Sequence, residues 1–590
     1  VDCPPLATFL YLAYVDKPYI AMFRNISPSI YPAMRQWEGA GVSLGNALTN
    51  FLNLSVSLET KSLAEGTPPR YLATRIDLAL ESFHALMDRQ MAQTRSTLSQ
   101  ARNRVLSPIY RFPEEVLFEI FMHTAFSFDN PSDTCDIEEH RIICFYRRLH
   151  NLIGVCSAWR NVILSRGIFW SIVPMVHSTS VPLKSKYAAS LSLERSQGRP
   201  IHFVAFLPYH PQHFPYLFQH ASRFRTVNIS TGPGAHSAMQ LLLSCFLDYT
   251  FLGRLSLSQL SLCHTYEPSY YGRFPERSDY IMYNEPPEGY PFNKLISNLS
   301  ILRIKGAQFC WGQLVFSHQL TELHLQDITV PLNSWLISLV NALSSATQLR
   351  NLKFIGVKSA PDPFEEVSEF PQITLTSLKS LFIRNLNFSA LSTLLSVITS
   401  RSHCLTLFLT VNSFFVGIFD HAQTQVNIQA LGRLLSSVMV HTLLLDGGED
   451  YGWLTPYELK GLVLSMPALK ILKIRKWVVN EDVSDALRRP PEPGNIFPSL
   501  NSLHLSQTSV WGEAGFRDMI ASHSQSLELA KLGIEIYTQR TDDHSIWNVL
   551  DGNELQEFWD SLHRFVPRLE KVDHKYEPPE FEEVWWQMWN

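Results

Sequence analysis

The residue types best suited to chemistry in this sequence are a serine placed between glycines and a pair of histidines. Ser43 lies in Gly41-Val42-Ser43-Leu44-Gly45, which matches the GxSxG pattern of a serine nucleophile. That pattern requires a buried strand before the serine and a helix after it, but residues 34–40 do not read as a strand. A pattern of five residues also arises by chance in a long chain. The sequence therefore does not favour the hypothesis of an enzyme that uses Ser43.

His210 and His213 suggest a metal site by residue type alone. Histidine pairs that bind metal usually share a helix and have a defined third ligand. The prolines at 208, 211 and 215 prevent a helix here, so we predict a surface loop. The sequence also has no complete phosphate-binding loop or dinucleotide fingerprint. No metal and no cofactor are expected.

Composition limits the class of protein. The chain has 590 residues, a formal net charge of −5, 17% charged residues and 45% hydrophobic residues. The absence of a positive excess disfavours a nucleic-acid partner, and the hydrophobic content excludes disorder along the whole chain. The eight cysteines contain no CxxC pair, which favours reduced thiols and a cytoplasmic and/or nuclear location. The apolar stretch 6–15 is shorter than the roughly 20 residues of a membrane span, so no membrane partner is expected.

A leucine-rich pattern, apolar-x-x-apolar-x-apolar, repeats through most of the chain. It begins weakly at Phe224-Val227-Ile229 and recurs at Leu252-Leu255-Leu257, Leu299-Leu302-Ile304, Leu320-Leu323-Leu325, Leu349-Leu352-Phe354, Leu378-Leu381-Ile383, Cys404-Leu407-Leu409, Val440-Leu443-Leu445, Leu469-Leu472-Ile474, Leu500-Leu503-Leu505 and Leu529-Leu532-Ile534. From Leu252 onward, successive first residues are 21 to 47 residues apart, and four of the steps are 29. Most steps therefore fall near the period of leucine-rich repeats, about 20–29 residues.

The repeat spacing predicts an α/β fold. The last two apolar residues of each unit are two apart, so they face one side of a short strand while the residue between them points out. Residues 332–343 and 391–398 have the apolar spacing of returning helices. One unit cannot bury its apolar face alone, so neighbouring units stack. We predict an irregular leucine-rich-repeat solenoid of short parallel strands and helices.

A small helical block is predicted ahead of the repeats. Pro113 suits the first position of a helix, and Glu114 and Glu115 suit its positive end. A second helix is predicted to carry one apolar stripe through Leu149, Leu152, Ile153, Cys156, Trp159 and Ile163. Short helices with so much apolar surface cannot form a large core by themselves and favour binding to a partner.

This block resembles the F-box. The resemblance lies in the helix that starts at Phe112-Pro113, in Val155-Cys156 with Trp159-Arg160, and in Phe169-Trp170. Residues 193–201 are similar to a Leu-Glu-Arg-Ser-x-x-Arg-Pro-Leu motif that follows the F-box in many proteins of mushroom-forming fungi. Two departures are Phe112 in place of the usual leucine and an acidic insertion, residues 127–146, between the helices.

The resemblance implies a substrate receptor of an SCF-type cullin ubiquitin ligase, without catalytic groups of its own. Its partners would be a Skp-family adaptor, through it a cullin scaffold, and an unknown protein substrate on the repeats. The implied adaptor contacts are Phe112, Pro113, Leu117, Ile120, Phe121, Val155, Cys156, Trp159 and Trp170. Cys156 and Leu152 are expected mainly to pack the block. The alternative is a leucine-rich-repeat interaction scaffold with a degenerate F-box outside any ligase.

The predicted organisation has six parts. Residues 1–66 remain unassigned, 67–106 form a lead-in helix, and 107–174 form the F-box-like block. Residues 175–223 form a linker and the first solenoid elements, 224–550 the repeats, and 551–590 a C-terminal cap or tail. The tyrosine- and proline-rich segment 266–290 is expected to be an exposed loop.

Overall fold

The structure of the protein, a computed structural model, describes residues 29–106, 108–126, 137–176, 185–207, 217, 219–253, 255, 257–265, 275–282, 291–363, 371–399, 403–417, 424–450, 452–491, 497–540 and 543–581. The chain divides into two compact units, residues 1–115 and 116–590. None of the described helices is both long enough and apolar enough to cross a membrane.

Two long helical stretches form the first unit. The first occupies Pro32–Ala64, and the second continues through Pro69–Leu78, a π-helical turn at Ala79–His84, and Ala85–Leu106. The ring centroids of Phe51 and Phe83 are 5.2 Å apart, so the two stretches contact each other. The second stretch lies within the predicted lead-in helix, residues 67–106. The unassigned N-terminal region contains a helix that the sequence did not reveal.

The second unit is a helix-covered sheet of parallel strands. Its helices occupy Glu114–Phe126, which begins at the end of the first unit, then Ile137–Val155, Ser157–Ser165, Ser185–Arg195, His236–Phe251, Phe292–Ile296, Asn333–Ala342, Phe388–Val397, Ile428–Ser436, Pro456–Leu464, Glu481–Leu487, Glu513–Ser522 and Gly552–Leu562. Its strands are β1 (Ile172–Val176), β2 (Ile201–Leu207), β3 (Phe224–Thr231), β4 (Gln259–His264), β5 (Ile301–Lys305), β6 (Glu322–Gln326), β7 (Thr329–Leu332), β8 (Asn351–Ile355), β9 (Lys358–Ala360), β10 (Ser380–Arg384), β11 (Cys404–Leu409), β12 (Val440–Asp446), β13 (Ile471–Arg475), β14 (Val478–Val479), β15 (Ser502–Trp511), β16 (Leu529–Arg540), β17 (Asp543–Val549) and β18 (Arg568–Lys571).

The main sheet follows the order of the chain. Its path is β1-β2-β3-β4-β5-β6-β8-β10-β11-β12-β13-β15-β16-β17, with β14 beside β15 and β18 beside β16, while β7 and β9 form a separate pair. The pairings are parallel except that of β16 with β17. Equivalent residues of neighbouring repeats lie in register, as Leu302, Leu323, Leu352 and Leu381 do. These residues and the inner faces of the helices form one continuous apolar core, as a stack of interdependent repeats requires.

A left-handed residue after the strand recurs in this architecture. Gly306, Asp327, Gly356 and Asn385 directly follow β5, β6, β8 and β10 and have φ between 50° and 67°. The N–H of each of the first three donates to the carbonyl of the last strand residue in the next repeat, at 2.8–2.9 Å. The turn therefore satisfies a backbone donor at each of these three steps of the stack.

The structure corrects three sequence predictions. The first correction concerns the repeat predicted at Leu252-Leu255-Leu257. Leu252 directly follows the helix His236–Phe251 and is exposed, and the strand β4 is formed by the next triplet, Leu257-Leu260-Leu262. The second helix of the block is broken at Cys156, whose backbone is extended. Part of the insertion 127–146 is helical, because the helix Ile137–Val155 starts within it. Strands also begin ahead of Phe224, at Ile172 and Ile201.

Candidate protein-interaction surfaces

An aromatic contact holds the described part of the F-box-like block together. The ring centroids of Phe121 and Trp159 are 4.6 Å apart, which joins the helices Glu114–Phe126 and Ser157–Ser165. The Trp159 backbone N–H donates to the Cys156 Sγ at 3.5 Å, so Cys156 caps its helix. Trp170 donates its Nε1–H to the Ile163 carbonyl at 3.1 Å. The indole polar group of Trp170 is thereby satisfied in the interior.

The predicted adaptor contacts divide into three groups by exposure. Leu117, Phe121 and Trp170 are buried, with 7%, 0% and 1% of their surface exposed, so they support the block from inside. Ile120, Cys156 and Trp159 are half-buried, while Phe112, Pro113 and Val155 are exposed. Val116, which the sequence did not single out as a contact, is 41% exposed. The exposed large apolar residues of the described block in the second unit are thus Val116 and Val155, with Ile120 and Trp159 partly accessible.

Contacts of Tyr146 and Arg195 connect the block to the first strand and to the helix that follows it. The Tyr146 hydroxyl donates to the Ile172 carbonyl at 2.7 Å and lies 2.8 Å from the Ser192 Oγ. Burial raises the pKa of Tyr146, which keeps this hydroxyl protonated. The guanidinium carbon of Arg195 lies 4.7 Å from the Trp170 ring centroid. Residues 193–201, the segment similar to the fungal motif, therefore help to join the block to the sheet.

The second candidate surface is the face of the main sheet turned away from the helices, which we call the far face. Strand residues alternate between the two faces. In β6, Leu323 and Leu325 belong to the helix-covered core, so Glu322, His324 and Gln326 lie on the far face. Since the strands are in register, outward residues at equivalent positions of neighbouring strands lie side by side and form rows across the far face.

Basic residues line the middle of the far face. Arg303, His324 and Lys353 are consecutive in one row across β5, β6 and β8. The Arg303 Nε–Glu322 Oε1 distance is 2.7 Å. Burial, followed by the charges of Lys353, Arg303 and Lys305, lowers the pKa of His324 to about 3. His324 is therefore neutral at physiological pH, and the row carries positive charge through Arg303 and Lys353.

An aromatic cluster lies further along the same face. Phe581, near the C-terminus, is completely buried among Ile355, Phe382, Phe408 and Leu444. Its ring centroid is 5.1 Å from that of Phe408. Because these four strand residues lie opposite the helix-covered core, Phe581 covers apolar side chains that the far face would otherwise present to solvent.

Acidic residues close to Phe581 meet basic residues of β13. The Lys473 Nζ lies 2.7 Å from the Glu580 Oε1, and Arg475 pairs with Glu577 and with Asp446. Burial alone would raise the pKa of Glu580, but the Lys473 ammonium outweighs it and holds that pKa below its usual value. The Lys473–Glu580 ion pair is therefore formed at neutral pH.

Sequence reasoning did not identify these basic residues as a group. Lys353, Arg384, Lys473, Arg475 and Lys531 occupy outward positions on four different strands. The available signal was the residue type at the outward strand positions, as at Lys353 and Lys473, which lie between the two inward apolar residues of their triplets. Because those positions are far apart in the sequence, no local basic cluster was visible.

The remaining sequence candidates do not form a catalytic or metal site among the described residues. Ser43 lies inside the helix Pro32–Ala64, so the strand–turn–helix arrangement of a nucleophile elbow is absent there. No group of three or more His, Cys, Asp or Glu residues in the described ranges could hold a metal ion. His210 and His213, and most of the loop 266–290, lie outside the described residues.

The in-register ladder of short parallel strands returned by helices defines a leucine-rich-repeat type of α/β solenoid. Among solved structures, the chain is similar to a TLR13–ssRNA13 complex at 12% identity and a TM-score of 0.27, over 60% of this chain and 46% of that one. It is also similar to the internalin inlF of Listeria monocytogenes at 15% identity and a TM-score of 0.22, over 48% of this chain and 79% of that one. The chain thus spans less than half of the TLR13 chain. No protein-family model and no curated protein sequence matches it.

Proposed function

We propose that this chain is the substrate-recognition subunit of an SCF-type cullin ubiquitin ligase. In this proposal the F-box-like block binds a Skp-family adaptor, and the far face of the repeats binds a protein substrate. The chain supplies proximity and orientation, while other subunits supply the chemistry. It acts in the cytoplasm and/or nucleus and needs no cofactor.

The supporting observation is that a single unit carries two different surfaces. Val116 and Val155 expose apolar side chains on a small helical block, at or next to the positions that the F-box resemblance implies. The far face adds a row of charged residues and an apolar cluster on a rigid sheet. Exposed apolar groups on one element and an ordered mixed surface on another suit two separate protein partners.

The burial of Leu117, Phe121 and Trp170 favours a second candidate function, that of an interaction scaffold outside any ligase. Three of the nine implied contacts already pack the block itself, so the surface left for an adaptor is smaller than the resemblance implies. In that case the chain is a leucine-rich-repeat interaction scaffold whose block does not join a ligase.

Co-purification of the full chain with a Skp-family adaptor separates the two candidates. The test variant is Val155→Lys, since Val155 is 56% exposed and ends its helix, where a cation is compatible with the helix dipole. We expect at least a tenfold loss of adaptor binding, because a charge placed in an apolar contact costs several kcal/mol.

Leu241→Lys is the matched control. Leu241 is 48% exposed on the helix His236–Phe251 within the repeats, so this variant should bind the adaptor as the unaltered chain does. If the unaltered chain does not co-purify, or if Val155→Lys binds normally, the scaffold function replaces the ligase function.

A further inference from the structure

The residues between β18 and the end of the described chain turn back over the far face. We call Asp573–Phe581 the C-terminal segment. The Gln507 N–H within β15 donates to the His574 carbonyl at 3.2 Å, and the Lys531 Nζ of β16 lies 4.5 Å from the Tyr576 ring centroid. The segment then reaches β13 through Glu577 and Glu580. It therefore crosses several repeats in only nine residues.

Side-chain contacts, rather than strand pairing, hold the distal half of this segment. Arg384 donates to the carbonyls of Glu580 and Phe581 at 3.3 and 3.2 Å, and Arg475 donates to the Phe581 carbonyl at 3.3 Å. The Arg475 guanidinium carbon also lies 5.0 Å from the Phe581 ring centroid. Cations of the far face thus contact the backbone, the carboxylates and the aromatic ring of one extended peptide.

The helix-covered core is complete without this segment. Among the described residues, those that form that core or pack against it extend no further than Leu569. Phe581 instead belongs to the separate cluster on the far face. The segment therefore behaves as an occupant of the sheet surface rather than as a layer of the repeat core.

The sequence of the segment suits a ligand. Glu577-Pro578-Pro579-Glu580-Phe581 combines two carboxylates with an aromatic residue. The two prolines restrict the backbone and reduce the conformational entropy lost on binding. A buried aromatic anchor surrounded by charged contacts is a common arrangement in peptide recognition.

We propose that the far face is a groove for an extended acidic peptide with an aromatic anchor, of the form Glu-x-x-Glu-Phe, and that the C-terminal segment occupies this groove as a displaceable mimic of the partner. This inference rests on the proposed function, in which the repeats bind a protein substrate, and it names the chemistry of that substrate. The segment keeps the groove covered until a partner with the same features replaces it.

The test measures binding of a fluorescent peptide with the sequence of residues 572–581 to the full chain. In the variant Glu577→Lys/Glu580→Lys, like charges oppose Arg475 and Lys473 and release the segment. We expect this variant to bind the peptide at least tenfold more tightly than the unaltered chain, whose groove is occupied. A peptide with alanine in place of Phe581 should lose this binding.

Glu554→Lys/Glu557→Lys is the matched control. These two exposed glutamates have the same spacing on the helix Gly552–Leu562, so the control makes the same charge change away from the groove. It should bind the peptide as weakly as the unaltered chain. Enhanced binding in the control would show a non-specific charge effect and overturn the proposal.

A charge exchange tests the contact directly. The full-length Lys473→Glu chain should reject the original peptide and bind a peptide with lysine at the position of Glu580. The proposal is overturned if the released variant does not bind the peptide, or if its unfolding midpoint falls by more than about 5 °C, because the segment is then part of the fold. The assay contains no adaptor, so its failure leaves adaptor binding by the block to the co-purification test.

Discussion

Single residues at the ends of the strands control how closely neighbouring repeats approach. Gly306 follows β5 with φ +67°, a conformation that favours glycine. A Cβ atom built at this position would lie 1.9 Å from the His264 backbone oxygen. The hydrogen-bonded ladder between β4 and β5 prevents either backbone from moving away. The chain therefore requires glycine here for two independent reasons.

We predict that Gly306→Ala lowers the free energy of unfolding by about 3 kcal/mol, from the left-handed conformation together with the steric clash. Gly253→Ala is the control, since Gly253 has φ +65° but no heavy atom within 4 Å of a built Cβ. The control should lose only about 1 kcal/mol. Urea denaturation of the two variants measures the difference, and equal losses would contradict the steric contribution.

Residues that cap helices also form hydrogen bonds that link one repeat to the next. The Asn387 side chain accepts from the Ala390 N–H at 3.4 Å, at the start of the helix Phe388–Val397. Its amide Nδ2–H groups also donate to the carbonyls of Ser359 and Val416 at 2.7 and 2.9 Å. Asn387 is buried. One side chain thus caps a helix and donates hydrogen bonds to backbone carbonyls in two flanking segments.

We predict that Asn387→Ala costs about 3 kcal/mol of unfolding free energy, because it removes a cap together with the side-chain hydrogen bonds to the carbonyls of Ser359 and Val416. Asn427→Ala is the matched control. The exposed Asn427 accepts from the Ala430 N–H at 2.9 Å and caps the helix Ile428–Ser436. Loss of this cap alone should cost about 1 kcal/mol. Chemical denaturation compares the two, and similar costs would show that the contacts of Asn387 to Ser359 and Val416 contribute little.

At the scale of the whole molecule, histidines in different repeats make stability depend on pH. Burial lowers the pKa of His264 and of His504 to about 4, and that of His324 to about 3. An unfolded histidine has a pKa of about 6.5. Below that pH the unfolded chain binds protons that the folded chain does not bind, so folding stability is lost as the pH falls.

We predict that the free energy of unfolding decreases between about pH 6.5 and pH 4, by up to about 1.4 kcal/mol per pH unit for each of these histidines. His324→Gln should reduce this slope, whatever its effect at neutral pH. His563→Gln, which replaces an exposed histidine, is the matched control. Denaturation curves at several pH values measure both, and an unaltered slope for His324→Gln would contradict the buried neutral state.

The apolar pattern of the sequence by itself was sufficient to predict the repeats. A strand has a side-chain period of two, so a triplet such as Leu320-Leu323-Leu325 places Leu323 and Leu325 on one face whatever lies around them. The prediction was wrong at Leu252, because a helix ends directly before this residue and the strand forms at the next triplet, Leu257-Leu260-Leu262. It also missed the break at Cys156, because an apolar stripe can continue across two helices.

The far face was decided only by the tertiary structure. The contacts of Arg475 with Glu577 and of Lys473 with Glu580 join residues 102 and 107 positions apart. A local sequence pattern carries no information about such pairs, because they depend on the stacking of the repeats and on the return of the C-terminal segment. The sequence therefore determined which residues point outward from each strand, since that follows from the strand period. Which outward residues meet was determined by the register of the sheet, since only the folded ladder brings successive repeats side by side.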